Sequence, residues 1–399
     1  MKYRRPLLIA LCCITAAACG KKEAPPTPTT SAAPAATMQA TGDGTGEDVV
    51  RVGSVAPLTG PQASLGKDNE NGARMAFEEA NAQGLMIGGK KVKFEMLSED
   101  DQTDPRIATV VAQKLVDQKV KGVIGHMNSG TSIPASKIYA DAGIPQISPS
   151  ATAIPYTAQG YKTAFRVMAN DEQQGSVLGS YAATKLGAKK IAVIDDRTAY
   201  GQGLADQFAK TAQAAGAQVV VREYTSDKAN DFTAILTSIK GKQPDVVFFG
   251  GMYPQGAPMA KQMKRLGLKA KLLGGDGIQT TEFTGIAGAD GEGVIASSPG
   301  LPVDSMPGGK EFIGKYTAKY GTIQLYAPYA YDAAWAMINA MKAANSAEPQ
   351  SYMPELAKVN FTGVTGQISF DAKGDLQGGP VTIYQLKGGK WEMLETVKK

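Results

Sequence analysis

The chain is short of the residues that carry most enzymatic and metal chemistry. Among its 399 residues there is one histidine, His126, and three cysteines, Cys12, Cys13 and Cys19, all near the N-terminus. One imidazole cannot build a His-rich metal site or a relay of several histidines. Beyond Cys19 there is no thiol for a disulfide, a thiolate metal site or nucleophilic catalysis. Charge of one sign is also lacking. The 42 Lys+Arg nearly balance 37 Asp+Glu, and three of those cations (Lys2, Arg4 and Arg5) lie at the extreme N-terminus. That balance offers no basic field for nucleic acid. No run after residue 19 is long and apolar enough to span a bilayer, which excludes a multi-pass membrane protein. There is no P-loop and no Gly-x-Ser-x-Gly, and Gly84 and Gly88-Gly89 precede a strand instead of joining a strand to a helix. His126 reads as a structural, hydrogen-bonded residue, and the reading is of a protein with no enzymatic activity, no cofactor and no metal.

What is present begins with a leader. Lys2, Arg4 and Arg5 precede an apolar run, Leu7 to Ala18, that is too short to cross a membrane. Residues 1–18 therefore read as an export signal. Ala16-Ala17-Ala18-Cys19-Gly20 resembles a bacterial lipobox, with Ala16 where Leu is usual, so Cys19 is expected to carry lipid after cleavage. Residues 19–48 hold Pro25, Pro26, Pro28 and Pro34 among Ala, Thr and Ser. Such a segment buries too little apolar surface to fold and reads as a tether. The expected location is the bacterial cell envelope, on the periplasmic side, with membrane attachment through the lipid alone.

The remainder alternates strand and helix. Strand patterns fall at Val49–Val55, Val92–Leu97, Val120–Gly125, Pro145–Ser148, Lys190–Ile194, Gln218–Tyr224, Val246–Phe249 and Leu272–Gly274. Helical spacing falls at Asn69–Ala82, Pro105–Gln118, Ile133–Ala142, Gly175–Leu186, Gly201–Ala215, Phe232–Lys240 and Ala257–Leu266. Short strands separated by helices imply parallel sheets covered by helices, and so many units imply two doubly wound, Rossmann-like α/β lobes. The tail differs, with strands expected at Gly366–Phe370, Pro380–Leu386 and Lys390–Val397. Phe312, Tyr316 and Tyr320 have the spacing of helix packing, and Ala330–Ala344 that of a buried helix.

In such sheets ligands bind where strand ends meet helix starts. Four junctions carry candidate groups: Ser129, Thr131 and Ser132; Ser150 and Thr152; Tyr200 before Gly201; and Asp276 between glycines. Each alone also fits a helix cap or a polar turn. Together, hydroxyls and backbone N–H groups suit a carboxylate, Asp276 suits an ammonium, and Tyr200 is placed to close over the ligand. An α-amino acid zwitterion presents that pair of charges.

Several stretches resemble the leucine/isoleucine/valine-binding proteins of bacterial ABC importers. They are Val52–Gly60 with Gly66, Gly125-His126, Pro134–Ser136, Ser148–Thr152, Tyr200–Ala205, Phe248–Gly251 and Phe370–Asp375, in order along the chain. The resemblance implies the type I periplasmic-binding-protein fold, two lobes that close on a ligand about a hinge. Lobe one would hold residues 49–170 and 301–379, and lobe two residues 171–300 and 380–399. It also implies that Ser129 receives the ligand carboxylate, that Thr152 contacts both ends, and that backbone at Ser150 and Ala151 adds contacts. Tyr200 would cover the ligand, Asp276 would pair with the ammonium, and Tyr326 would line the side-chain pocket. Departures fall in that pocket: Leu65 and Met252 stand where the family has tyrosines, and Asp276 where Glu is common. The implied ligand is a branched-chain or other hydrophobic amino acid, and the implied partner is an importer permease. The alternatives are a sensor for an amide or non-amino-acid carboxylate, and a purely structural lipoprotein.

Overall fold

The computed structural model describes residues 47–398, so the expected signal, Cys19 and the tether up to residue 46 lie outside the described residues. Glu47 is described and Asp48 already opens the first strand, so the fold starts slightly before the expected end of the tether.

The first sheet is built from β1 (Asp48–Ala56), β2 (Met86–Ile87), β3 (Lys90–Asp100), β4 (Val123–Gly125), β5 (Gln146–Ser148) and β6 (Ala164–Arg166). Their spatial order is β2-β3-β1-β4-β5-β6, parallel except for the β2 edge. The second sheet takes β7 (Lys190–Asp195), β8 (Gln218–Tyr224), β9 (Val246–Gly250), β10 (Lys271–Gly274) and β11 (Ile295–Pro299). A small hairpin, β12 (Asn360–Thr362) and β13 (Gln367–Ser369), stands apart. The last strands, β14 (Val381–Lys387) and β15 (Lys390–Val397), return to the second sheet and pair antiparallel, giving β15-β14-β11-β10-β9-β7-β8. The strands of its middle are buried along their length, as in the all-buried Val-Val-Phe-Phe-Gly of β9, which suits a sheet covered on both faces.

The helices are α1 (Ala63–Ala82), α2 (Pro105–Asp117), α3 (Ser129–Asp141), α4 (Pro155–Ala158), α5 (Asp171–Thr184), α6 (Ala199–Ala214), α7 (Thr233–Lys242), α8 (Tyr253–Arg265), α9 (Thr281–Ala287), α10 (Gly309–Tyr320), α11 (Ala327–Ala343) and α12 (Pro349–Leu356). Their starts follow ordinary capping chemistry. Asp104 accepts from Arg106 N at 2.7 Å with Pro105 at the first helical position, and Asn170 and Gln173 form a reciprocal capping box. Four starts fall at least four residues earlier than the periodicity indicates: α1 at Ala63, α3 at Ser129, α5 at Asp171 and α8 at Tyr253. In α3 the interior Pro134 and the Ser/Thr-rich first turn mask the helical pattern, and tertiary contacts hold it: Ser132 donates to His126 O at 3.0 Å.

Helices α1 and α11 cover one face of the first sheet, joining Ala73 and Phe77 to Val52, Phe94, Ile124 and Met337 in the main core. Helices α2 and α3 bury Val111, Leu115 and Tyr139 against Val55 and Val123. The chain passes between the sheets three times, after β6, after β11 and before β14. Phe312 and Tyr316 of α10 stack at 5.5 Å and join Met75 of α1 in a cluster, the packing role their spacing indicates.

The approach of α1 to α11 requires glycine at position 72, where a Cβ would lie 2.1 Å from the carbonyl oxygen of Ala327. Gly72→Ala is expected to push the two helices apart and destabilise the protein by about 1–3 kcal/mol, read as a lower urea midpoint at unchanged slope.

Candidate functional site

The carboxyl ends of the strands in both sheets face a small cavity. Met127, Asn128, Ser129, Ser150, Tyr200, Met252, Asp276 and Tyr326 line it. Six of the nine residues expected from the sequence thus share one wall system. Leu65 is fully buried in α1 within the main core, and Ala151 and Thr152 sit just behind Ser150, also fully buried and off the cavity wall. Larger depressions, such as one lined by Lys264 and Lys271, bring no buried carboxylate together with hydroxyls.

Asp276 is the electrostatic centre. It follows β10 in a short 3-10 turn and is 1% exposed. Its Oδ1 accepts from Tyr200 and from Gln174 Nε2, both at 2.9 Å, and its Oδ2 accepts from Tyr326 at 2.7 Å. Burial pushes the carboxyl above its ordinary pKa, and the three donors oppose that rise. Gln174 is held in turn: its Oε1 accepts from Ser297 Oγ at 2.6 Å and from Asp276 N at 3.2 Å. Tyr200 reaches this position because two glycines let α6 touch β9. A Cβ on Gly250 would lie 2.1 Å from Gly201 O.

The opposite wall is made of hydroxyls and backbone. Ser129 opens α3, where unpaired N–H groups and the helix dipole favour an anion, and its Oγ accepts from Ala153 N at 3.1 Å. Ser150 Oγ donates to Met127 O at 2.9 Å and accepts from Asn69 Nδ2 at 3.2 Å. The backbone of the next residues is engaged within the protein. Ala151 N donates to Ser148 Oγ at 2.9 Å, and Ala151 O accepts from Arg166 at 2.8 Å. The Thr152 hydroxyl and Asn128 Oδ1 are buried with no partner at hydrogen-bond geometry. Such orphaned polar atoms beside a cavity are what a ligand or a water would satisfy.

The structure also shows positioning residues that the sequence reading does not contain. Asp68 of α1, 2% exposed, gathers the start of α11. Its Oδ2 accepts from Leu325 N, Tyr326 N and Ala327 N at 3.0, 2.7 and 2.9 Å, and its Oδ1 from Gln324 N and Tyr316 Oη. Tyr326 is fixed by that grip. Arg166, fully buried, spans Asp375 at 2.6 Å, Ala153 O at 2.9 Å and Thr157 Oγ1 at 2.7 Å, and so holds the 150–157 loop. The sequence signal for Asp68 was an acid on the inward face of an amphipathic helix. Met252 lines the cavity, while the adjacent Tyr253 reaches across the rim to Pro61 O and Ser64 Oγ. His126 stands 2.8 Å from Asp101 and 3.1 Å from Tyr139, all three buried. It is hydrogen-bonded at both ring nitrogens and does not line the cavity.

The fold and cleft are those of a periplasmic binding protein. Residues 49–390 match the model of the periplasmic binding protein family, and the chain belongs to it. Within it the chain groups with the Leu/Ile/Val-binding proteins: it is 35% identical over 339 residues, 85% of this chain and 90% of the relative, to the leucine-, isoleucine-, valine-, threonine-, and alanine-binding protein of Pseudomonas aeruginosa. The branched-chain amino acid transporter substrate binding protein LivJ from Streptococcus pneumoniae, solved with isoleucine, superimposes with a TM-score of 0.80 at 31% identity, over 88% of this chain and 100% of that one. An ABC transporter solute binding protein from R. palustris, solved with benzoate, shares the fold at a TM-score of 0.79 and 24% identity, over 88% of this chain and 96% of that one. These are type I periplasmic binding proteins. No helix among the described residues is long and apolar enough to cross a membrane.

Asp68→Ala is expected to strand four backbone N–H groups and the Tyr316 hydroxyl, at a stability loss of about 3 kcal/mol or more. Urea denaturation measures the loss, and the weakened hold on Tyr326 is read independently as a weaker ligand response.

Proposed function

We propose that this chain is an extracytoplasmic substrate-binding lipoprotein. It takes up a branched-chain or other hydrophobic amino acid and delivers it to the permease of an ABC importer, binding its ligand without transforming it. The observation that carries the reading is the polarity of the cavity. Asp276, Ser129 at the start of α3, and the apolar Met127 and Met252 all line it. A zwitterion needs an acid at one end and donors at the other, and an apolar side chain needs an apolar wall.

In this reading residues 49–170 and 301–379 form lobe one, and residues 171–300 and 380–399 lobe two. Ser129, Ser150, Ala151 and Thr152 receive the carboxylate on lobe one, with Leu65 supporting the pocket from behind. Closure brings Tyr200, Met252 and Asp276 over the ligand, and Tyr326 meets Asp276 from the other side. The ligand stabilises the closed form by its extra affinity for it, and the permease would read that form. A dissociation constant near 1 μM, about −8.2 kcal/mol, is ordinary for such a site. The family match from residue 49 and the leader ahead of it support a periplasmic protein held to the membrane through Cys19.

One observation favours a second reading, a binder of a non-amino-acid carboxylate or an amide. Asp276 already accepts hydrogen bonds from three donors within the protein, an arrangement that also suits a ligand without an ammonium.

Unfolded and refolded protein, freed of any carried ligand, is expected to gain thermal stability with leucine, isoleucine or valine, by about 2.7 kcal/mol at one hundred times Kd. Asp276→Asn is expected to weaken that binding about 30-fold, about 2 kcal/mol, in titration calorimetry. Benzoate heat without amino-acid heat would move the assignment to the second reading. In cells, labelled palmitate should enter the protein and be lost in Cys19→Ala, whereas equal labelling of both would remove the lipid anchor.

A further inference from the structure

We propose that Asn128 selects the ligand's side chain, its amide oxygen accepting a hydrogen bond from a side-chain hydroxyl, so that the site favours threonine over its isostere valine. The proposal rests on the amino-acid reading above and adds to it the chemistry of the side-chain end.

Asn128 stands immediately before α3 and lines the cavity together with its neighbours Met127 and Ser129. An Asn at this position ordinarily turns its side-chain oxygen to the first N–H groups of the helix. Here the backbone carbonyl does that work: Asn128 O accepts from Thr131 N at 3.2 Å, from Ser132 N at 2.9 Å and from Thr131 Oγ1 at 3.0 Å. The side chain makes no cap bond. Its Nδ2 donates instead to Gln62 Oε1 at 2.9 Å, just ahead of α1, and that bond holds the amide in place. Oδ1 is left sealed from solvent with no partner at hydrogen-bond geometry. A carbonyl oxygen in that state costs free energy until a donor meets it.

The other polar groups on the wall already have tasks. Asp276 accepts from Tyr200, Gln174 and Tyr326. Ser150 Oγ donates to Met127 O and accepts from Asn69. Ser129 Oγ accepts from Ala153 N, which leaves its O–H to donate toward a carboxylate. A ligand hydroxyl must donate, and among the described residues that line the cavity only Asn128 holds a sealed side-chain acceptor without a partner. Its position fits the side-chain end. Its partner Gln62 lies between Pro61 and Ser64, the two residues that meet the Tyr253 hydroxyl, and Met252, next to Tyr253, lines the cavity. One acceptor therefore comes together with the apolar Met127 and Met252. Threonine carries a hydroxyl and a methyl on one carbon, and valine has the same shape with the hydroxyl replaced by a second methyl. A purely apolar pocket favours valine over threonine by about 100-fold. A pocket with an unpaired acceptor reverses that order, because valine leaves the oxygen buried and unmet.

The test is titration calorimetry of the whole refolded protein with threonine and with valine under one set of conditions. Threonine is expected to bind about tenfold more tightly than valine. Asn128→Leu, which keeps the branching and removes the acceptor, should reverse the order, with valine about tenfold or more the tighter. Asn128→Ala reads the same reversal where the leucine variant does not fold. Valine bound by the wild-type protein as tightly as threonine, or more tightly, overturns the proposal and leaves the amino-acid reading standing. Heat with leucine or isoleucine and none with threonine does the same. A threonine preference undiminished in either folded variant also overturns it, since the selection then lies elsewhere in the site. No heat with any amino acid overturns the proposal together with that reading. The wild-type comparison can overturn it even where neither variant folds.

Discussion

The site depends on one buried carboxylate that does not line it. Asp68 draws the backbone N–H groups of residues 324–327 to a point inside α1 and so closes the start of α11. That grip sets where Tyr326 stands, and Tyr326 reaches Asp276 of the other sheet. Asn69, the next residue, holds Ser150. One turn of one helix therefore fixes groups on both sides of the cavity. Such satisfaction is costly to break because every partner is shielded from water.

A second consequence concerns electrostatics. Asp68, Asp171 and Asp276 are all nearly sealed from solvent, and burial raises the pKa of each. Asp68 and Asp276 each accept from several donors built into the fold, whereas Asp171 is eased only by the Thr152 hydroxyl and, from further off, Arg166. A protein whose cleft is empty thus stores unsatisfied polarity near its centre. A ligand bearing complementary groups gains from that arrangement without having to order it, which is preorganisation in the ordinary sense.

Much of the fold was legible because its signals are local. The valine-rich runs of β1 and β9, Pro105 at the head of α2 and the Gly-Gly turn before β15 each announce themselves within a few residues. Strands β6 and β11 did not, since Ala-Phe-Arg and Ile-Ala-Ser-Ser-Pro become strands only through their neighbours. The cavity's composition was legible in the main, as Ser129, Ser150, Tyr200, Met252, Asp276 and Tyr326 all line it. The supports were not. Asp171 reads as a routine helix-opening acid until Asn170 is seen to do the capping, and the partners of Asp68 lie some 250 positions away. Long-range partners of this kind are set by topology, which no local window contains.

The return of β14 and β15 to the second sheet bears on how the chain is made. Strand β11 pairs with β10 on one side and with β14 on the other, and β14 begins only at Val381. Until Val381–Lys387 is in place, Ile295–Pro299 is an open sheet edge. The first sheet has all its strands by Arg166, but α11, which covers one of its faces, follows β11 in the chain. A chain that stops short of β14 would therefore leave one sheet edge open and adhesive, and closing that edge is a late step of folding.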